Sequence, residues 1–325
     1  MKKPGFIDIQ VNGYKGIDFS SPDLTIDNIR TAARELGMAG TTAFCPTLIT
    51  GPVAAYENPL RVIAQAMRDP ELKHRILGIH LEGPFISPLE GARGAHPLQH
   101  IIPPSVEIFK RLQNWADGNI KIITLAPEME GATPLIRHAF ENGTVVALGH
   151  HMAGRDELKE AVLNGARACT HLGNGLPDMI NRHRNPLWWE LACDELAGIF
   201  ITDGHHLPPD FIKVALRAKT ASRFIVVSDA VRIAGLPPGE YEMSGAKITL
   251  ATNGRISFKN TPYLAGSSAT MLECMNYLSS LELLDEEDLW RAGFDNPLRL
   301  LGKNTLPPGS GGTSVVFKEG RFLAD

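Results

Sequence analysis

The chain has 325 residues, 43% hydrophobic and 21% charged, with 32 basic against 36 acidic side chains and a formal net charge of -4. That balance supports a large soluble core, and its mild negative charge excludes any general attraction for nucleic acid or anionic membrane, so an anion site must be local. Cys45, Cys169, Cys193 and Cys274 lie far apart with no CxxC, and MKKPGFIDI lacks the apolar run of a signal peptide. No stretch approaches the roughly 20 apolar residues of a membrane span, so reduced thiols and a cytoplasmic location are expected.

Taken in order, short apolar runs recur, most of them followed by a helical pattern: FIDIQVN (6–12), TTAFCPT (41–47), ILGIHLEG (76–83) and IKIITLAPE (120–128). They continue as VVALGHH (145–151), ACTHLGN (168–174), AGIFITDG (197–204) and RFIVVSDA (223–230). Near-continuous apolar strands alternating with amphipathic segments such as IDNIRTAARELGMAG predict a parallel sheet covered on both faces. Eight such units favour a closed (β/α)8 TIM-type barrel over an open sheet. The period breaks at residues 237–263, where KITLA, a TNGR turn and RISF give a hairpin signature. Helical patterns resume in SATMLECMNYLSSL and DEEDLWRAGFDNPLRLLG, and a second strand pair brackets a Lys-Glu-Gly turn near the C-terminus. The expected division is a catalytic barrel over 4–236 and 264–304, with a small, reduced β appendage from 237–263 and 305–325.

In such a barrel the chemistry projects from the C-terminal ends of the strands. Those ends carry Gln10 and Asn12; His80 and Glu82; His150 and His151; His171 and Asn174; Asp203, His205 and His206; and Asp229. One such residue is ordinarily a structural hydrogen-bonder; several converging on one rim point to catalysis. Glu82, His150 and His171 offer a carboxylate and two imidazoles from three strands, a set suited to a catalytic divalent ion. Asp229 reads as a general base for an attacking water, or else as a cap on the next segment. In FIDIQVN, Asp8, Gln10 and Asn12 alternate with Ile9 and Val11, so all three are expected on one face.

The motifs PGFIDIQVNG, HLEGPF with GAHP, LGH, THLGN, DGHH, SDA and LAGSSATM stand in the order found in N-acetylglucosamine-6-phosphate deacetylases of the amidohydrolase superfamily, and the chain resembles that family over nearly the whole barrel. The resemblance implies metal-dependent hydrolysis of the acetamide of N-acetylglucosamine 6-phosphate, giving acetate and glucosamine 6-phosphate. It implies one divalent ion per subunit on Glu82, His150 and His171, with zinc favoured and iron, cobalt or manganese as alternatives. Asp229 matches the aspartate that takes the water proton and returns it to the leaving amine, and His96 of GAHP matches the histidine that polarises the acetyl carbonyl. Asn174 and Gly175 match the pair that meets the phosphate, Arg184 the phosphate arginine with Arg182 its competitor, and His206 the histidine on the sugar hydroxyls with His205 the alternative. Leu264, Ala265 and Gly266, with Ser267, match the loop lining the sugar and acetyl pocket. Gln10 and Asn12 replace the His-x-His pair of two-metal relatives, and amide oxygens are poor ligands for zinc-like ions, so both are expected as hydrogen-bonding support. A homodimer also follows by analogy.

The chain departs from the family at three points. Members carry a long segment ahead of PGFID that is almost absent here, which predicts the reduced appendage. Gly173 stands where the motif has an aromatic residue and Gly175 where it has alanine. The chemistry is intact while its surroundings differ, so N-acetylgalactosamine 6-phosphate, another N-acyl amine, or a non-catalytic sugar-phosphate binder are the rival readings. Trp188 and Trp189, followed by Glu190, are assigned either to the mouth of the site or to a packing role.

Overall fold

The computed structural model describes residues 2–243, 245–261, 263–306 and 312–325. Eight parallel strands lie side by side in chain order: β1 (Phe6–Val11), β2 (Thr41–Ile49), β3 (Ile79–Glu82), β4 (Ile120–Leu125), β5 (Val145–Leu148), β6 (Ala166–Cys169), β7 (Ala197–Ile201) and β8 (Phe224–Val227). The ring closes just past β8, where Val11 bridges Ala230 in parallel, the Asn12 N–H donates to the Ala230 carbonyl (2.8 Å), and the Asp229 N–H donates to the Gln10 carbonyl (3.0 Å). Helices α1 (Ile26–Met38), α2 (Glu57–Ala66), α3 (Val106–Trp115), α4 (Ala132–Glu141), α5 (Arg155–Leu163), α6 (Pro186–Ala192), α7 (Pro209–Lys219) and α8 (Met271–Ser280) follow the strands one by one. The eight-unit barrel read from the sequence is therefore present.

Two apolar layers explain why the strands read as continuous apolar runs. Ile7, Ile9, Ile122, Ile199, Ile201 and Val227 belong to the cluster filling the barrel interior. Alternate residues such as Phe6, Phe44, Phe200 and Val226 belong to a second cluster between strands and helices, where Phe200 stacks on Phe224 with centroids 4.1 Å apart. Both faces of each strand are buried, so polar residues are confined to strand ends. Local signals set the helix starts: Thr25 and Asn28 form a capping box on α1, and Thr270 and Glu273 form one on α8, each hydroxyl satisfying an orphan N–H worth ~1 kcal/mol. The tail of LAGSSATM thus doubles as the start of a helix.

The β appendage resolves into two separate sheets. Strands β9 (Gly239–Met243), β10 (Ala246–Leu250) and β11 (Ile256–Phe258) form one antiparallel sheet, with Leu250 opposite Ile256 across the expected turn. Its Ile248, Leu250 and Ile256 pack with Val231, Ile233 and Ala265 from the β8–α8 connection. Strands β12 (Ser314–Lys318) and β13 (Arg321–Ala324) pair around a turn in which Glu319 and Gly320 both have positive φ, and they join the short strand Lys2–Pro4. Phe322 there meets Phe6 edge-on at 5.0 Å, tying the tail to the barrel wall rather than to the insert. Residues 244, 262 and 307–311 of the expected appendage lie outside the described residues.

Candidate active site

The strand ends make sharp turns into the site. His150, His171 and Asp229 each directly follow strand–loop junctions and have φ of 53°, 29° and 50°. Left-handed backbone at a non-glycine residue costs about 1–3 kcal/mol, and here it recurs at three groups that converge on one spot. Glu82, the last residue of β3, lies at the centre: its Oε1 is 3.0 Å from His171 Nε2 and 3.3 Å from His150 Nε2, and the two Nε2 atoms are 3.0 Å apart. All three side chains are buried. Burial opposes a charged carboxylate at Glu82, but the two imidazoles outweigh it and hold its pKa well below the usual range.

Among the described residues, this is the group of three that could hold a metal ion. The surrounding bonds suit that use. His150 Nδ1 donates to the Ala92 carbonyl (2.9 Å), which leaves the Nε2 lone pair aimed at Glu82. A single hydrogen, on His171 Nε2, is all that these three atoms have to share between the bare ring nitrogen and the carboxylate, whereas a cation among them would be met by all three. His171 Nδ1 is buried without a protein partner. Space around His150 is kept by glycine: a Cβ on Gly94 would sit 3.1 Å from its Cε1, and one on Gly175 3.0 Å from its Nδ1. Gly175, which replaces alanine in the motif, is thus accounted for by contact with the ring.

Asp229 faces this cluster across the barrel seam. Gln10 Nε2 donates to both Glu82 Oε1 (3.0 Å) and Asp229 Oδ1 (3.1 Å), and Asn12 Nδ2 donates to the same Asp229 oxygen (2.6 Å). The two amides therefore brace the two carboxylates. Burial and the nearby Glu82 charge raise the Asp229 pKa from 3.8 to about 7. Asp8 departs from expectation. It is not on the face shared by Gln10 and Asn12 but accepts bonds from the Ser228 hydroxyl (2.5 Å), the Ser228 N–H and the Gln10 N–H. The pairing of β1 with β2 slips between Asp8 and Val11, so the simple alternation drawn from the sequence fails inside that interval.

His96 is buried, and its Nδ1 is met by the Thr50 hydroxyl (2.8 Å) and faced by the Thr50 N–H (3.4 Å). Burial and the neighbouring His150 push its pKa down to about 3, so the ring is neutral, with Nδ1 accepting and Nε2–H free to donate. Thr50 approaches because Gly83 lacks a side chain: a Cβ there would lie 2.1 Å from the Thr50 hydroxyl oxygen. Thr50 and the Ala92 carbonyl carry no signal in the sequence that could have singled them out.

Two histidine ambiguities separate cleanly. His206 Nδ1 bonds Asp203 Oδ2 (2.7 Å), and Asp203 Oδ1 also accepts the His205 and His206 N–H groups. His205 instead uses Nε2 on the Asn253 carbonyl of the insert (3.0 Å). His206 is near enough to Asp229 to act on its carboxylate electrostatically. His80, grouped with the chemistry by its place at a strand end, is structural: Nδ1 donates to the Ile9 carbonyl (3.0 Å) and Nε2 bonds the Thr124 hydroxyl (2.8 Å). Burial holds its pKa near 4, so it stays neutral.

The loop after β6 is looser. Asn174 folds back on the His171 carbonyl through its N–H (2.9 Å) and Nδ2 (3.2 Å). Gly173 has φ 98°, and a Cβ there would meet the Phe211 ring at 2.9 Å, so Phe211 fills the space where the motif's aromatic would project. Arg182 and Arg184 are both exposed, and among the described residues neither guanidinium has a protein partner. Of the β8 loop, Ala265 buries its side chain in the insert's core, leaving its backbone for contact, and Gly266 is required by Val231, 2.3 Å from a would-be Cβ.

Comparison with known proteins agrees with this arrangement. Residues 1–293 match the family model described as the amidohydrolase family. N-acetylglucosamine-6-phosphate deacetylase of Danio rerio is 34% identical over 97% of this chain and 80% of its own length, and that of Bacillus subtilis (strain 168) is 34% identical over 92% and 75%. A solved structure of a substituted N-acetyl-D-glucosamine-6-phosphate deacetylase from Mycobacterium smegmatis, in complex with N-acetyl-D-glucosamine-6-phosphate, superposes with a TM-score of 0.88 at 27% identity, covering 98% of this chain and 83% of that one. No helix among the described residues is long and apolar enough to cross a membrane. With the barrel, the buried Glu82–His150–His171 cluster and these matches together, the chain belongs to the amidohydrolase family.

Proposed function

We propose that this protein is a hydrolase that removes the acetyl group from N-acetylglucosamine 6-phosphate, yielding acetate and glucosamine 6-phosphate. The observation that carries the reading is the convergence of Glu82, His150 and His171 within hydrogen-bonding distance of one another, opposite an aspartate with a raised pKa. Glu82 with the Nε2 atoms of His150 and His171 would hold one divalent cation, zinc being favoured by the ligand set with iron, cobalt or manganese as alternatives. When bound, that cation supplies Lewis-acid activation of the attacking water and the acetyl carbonyl.

The chain's own groups supply the rest. Asp229 Oδ1 is occupied by the two amide donors, so Oδ2 is the oxygen that takes the water proton and later delivers it to the leaving sugar amine. A pKa near 7 suits both transfers. His96, neutral and held by Thr50, presents Nε2–H to the oxygen that gains negative charge in the tetrahedral transition state. His206, oriented by Asp203, meets sugar hydroxyls; Asn174, Gly175 and Arg184, with Arg182 as alternative, receive the phosphate; and the backbone of Leu264, Ala265 and Gly266 borders the acetyl and sugar pocket. The unpaired, exposed state of both arginines fits a site completed by an anionic ligand or by a second copy of the chain in a homodimer. A cytoplasmic location and the two-part division into barrel and β appendage complete the reading.

Acetate release from N-acetylglucosamine 6-phosphate, compared with N-acetylgalactosamine 6-phosphate and the unphosphorylated sugars, tests it. Preference for the first supports the proposal; equal turnover of the unphosphorylated sugar removes the phosphate role, and binding without release leaves only a sugar-phosphate binder.

A further inference from the structure

Two sequence features remain outside the chemistry described so far: the second imidazole of the His150–His151 pair, and the acid that ends Trp188-Trp189-Glu190. The fold joins them. His151 Nε2 and Glu190 Oε1 are 2.8 Å apart, and both side chains are almost wholly buried. The Ala153 N–H donates to His151 Nδ1 (3.2 Å), so Nδ1 accepts and Nε2–H donates to Glu190. The ring is thus held at both ends. Glu190 is fixed in turn, because its own carbonyl accepts from the buried Lys219 ammonium (2.5 Å), which also binds the Cys193 and Leu196 carbonyls.

The positions of the two partners give this pair its meaning. His151 directly follows His150, whose backbone is left-handed and whose carbonyl is held by the Ser87 N–H (2.9 Å). Glu190 lies on α6, at the far end of the β6–α6 segment that carries Asn174, Gly175, Arg182 and Arg184. A small cavity lies between them, bordered by His150, His151, Thr170, Asn174, Gly175 and Glu190. Thus the neighbourhood that contains the His151–Glu190 pair also contains His150 and the start of the β6–α6 loop.

We propose that Glu190 and His151 are positioning residues: their bond sets the orientation of the His150 segment and anchors the β6–α6 loop to it, so that metal retention and sugar-phosphate binding depend on one contact. Neither touches substrate or cation. The proposal rests on reading His150 as a metal ligand, and the two can fail separately.

The test measures zinc affinity by chelator competition, KM for N-acetylglucosamine 6-phosphate, and Tm, in His150→Ala, Glu190→Ala, Glu190→Gln and the double variant His151→Leu/Glu190→Leu. Removing a partner that orients a ligand costs on the order of 10–100-fold in metal affinity. Glu190→Ala is expected to weaken zinc binding within that range and to raise KM, while Glu190→Gln, which still accepts from His151 Nε2–H, restores both. The double variant removes the pair without leaving either partner facing an unmatched one, and so decides the matter if Glu190→Ala fails to fold. It is expected to keep Tm within a few degrees while losing zinc affinity and substrate affinity together. A fall in Tm with zinc affinity and KM unchanged in the folded variants overturns the proposal. Undiminished zinc binding by His150→Ala overturns the reading beneath it instead.

Discussion

The two halves of the site are built differently. On one side, Glu82, His150, His171, Asp229, Gln10, Asn12 and His96 are all buried and cross-braced by hydrogen bonds of 2.6–3.4 Å. On the other, Arg182 and Arg184 are exposed on the loop that follows Gly173 and Gly175. The braced half has little freedom to accommodate different chemistry, because most of its buried polar groups answer to one another, with Gln10 Oε1, Asn12 Oδ1 and His171 Nδ1 the buried atoms there that have no partner among the described residues, and stranding a further one would cost about 1–3 kcal/mol. In the open half the backbone is held by Asn181, Asn185 and Trp188, but among the described residues the two guanidinium groups have no partner. On this account reaction type follows from the braced half, and substrate preference from the exposed loop.

That contrast can be broken first on the braced side. Asp229→Asn keeps the amide contacts but removes the proton acceptor, and turnover is expected to fall ~10²–10⁴-fold with the fold intact by circular dichroism. An active Asp229→Asn protein would assign the base elsewhere. His96→Phe, which removes the Nε2–H donor, should lower kcat by ~10²–10³ with a smaller change in KM; a pure KM effect would make His96 a binding residue. On the open side, alanine at the phosphate arginine should raise KM with kcat nearly unchanged. Comparing Arg184→Ala with Arg182→Ala, on phosphorylated and unphosphorylated sugars, identifies which guanidinium is involved.

Protonation gives two smaller effects of known sign. Asp229 must be ionised to take a proton, and its pKa is raised from 3.8 to about 7 by burial and by Glu82. Activity should therefore fall as pH drops toward and below 7, with a bound cation, which favours the carboxylate, moving that limb to lower pH. Asp8 also has its pKa raised from 3.8 to about 7, by burial that its bonds to Ser228 and Gln10 only partly offset. A raised carboxyl pKa means that the folded state holds the proton more tightly, so this contribution to stability is full below about pH 4 and lost as pH rises through 7. Asp8→Asn should flatten the slope of Tm over that interval. An unchanged slope would remove Asp8 as its source.

The same division governs what could be read from the sequence. Strands buried on both faces are apolar throughout, so β1 to β8 announced themselves, and polar residues at their ends could only be site or support. That logic found Glu82, His150, His171 and Asp229, but it could not tell site from support. His80 has the same position and type as a ligand and turned out to bond Ile9 and Thr124. Asp8 was misplaced because a slip in strand pairing is invisible in a two-residue period. Thr50, Ala92 and the partner of Glu190 could not be read because they depend on contacts between residues 39 to 58 positions apart. The expectations for His96 and His206 came from the family resemblance alone, and in the structure His205 is tethered to the Asn253 carbonyl while His206 is held by Asp203.

The most direct test is metal content and chemistry measured on one sample. The purified protein should contain one tightly bound divalent ion per chain and release acetate from N-acetylglucosamine 6-phosphate, and Glu82→Gln should lose both. Two tightly bound ions per chain would contradict the assignment of Gln10 and Asn12 as supports, and a metal-loaded protein that releases no acetate would contradict the proposed function itself.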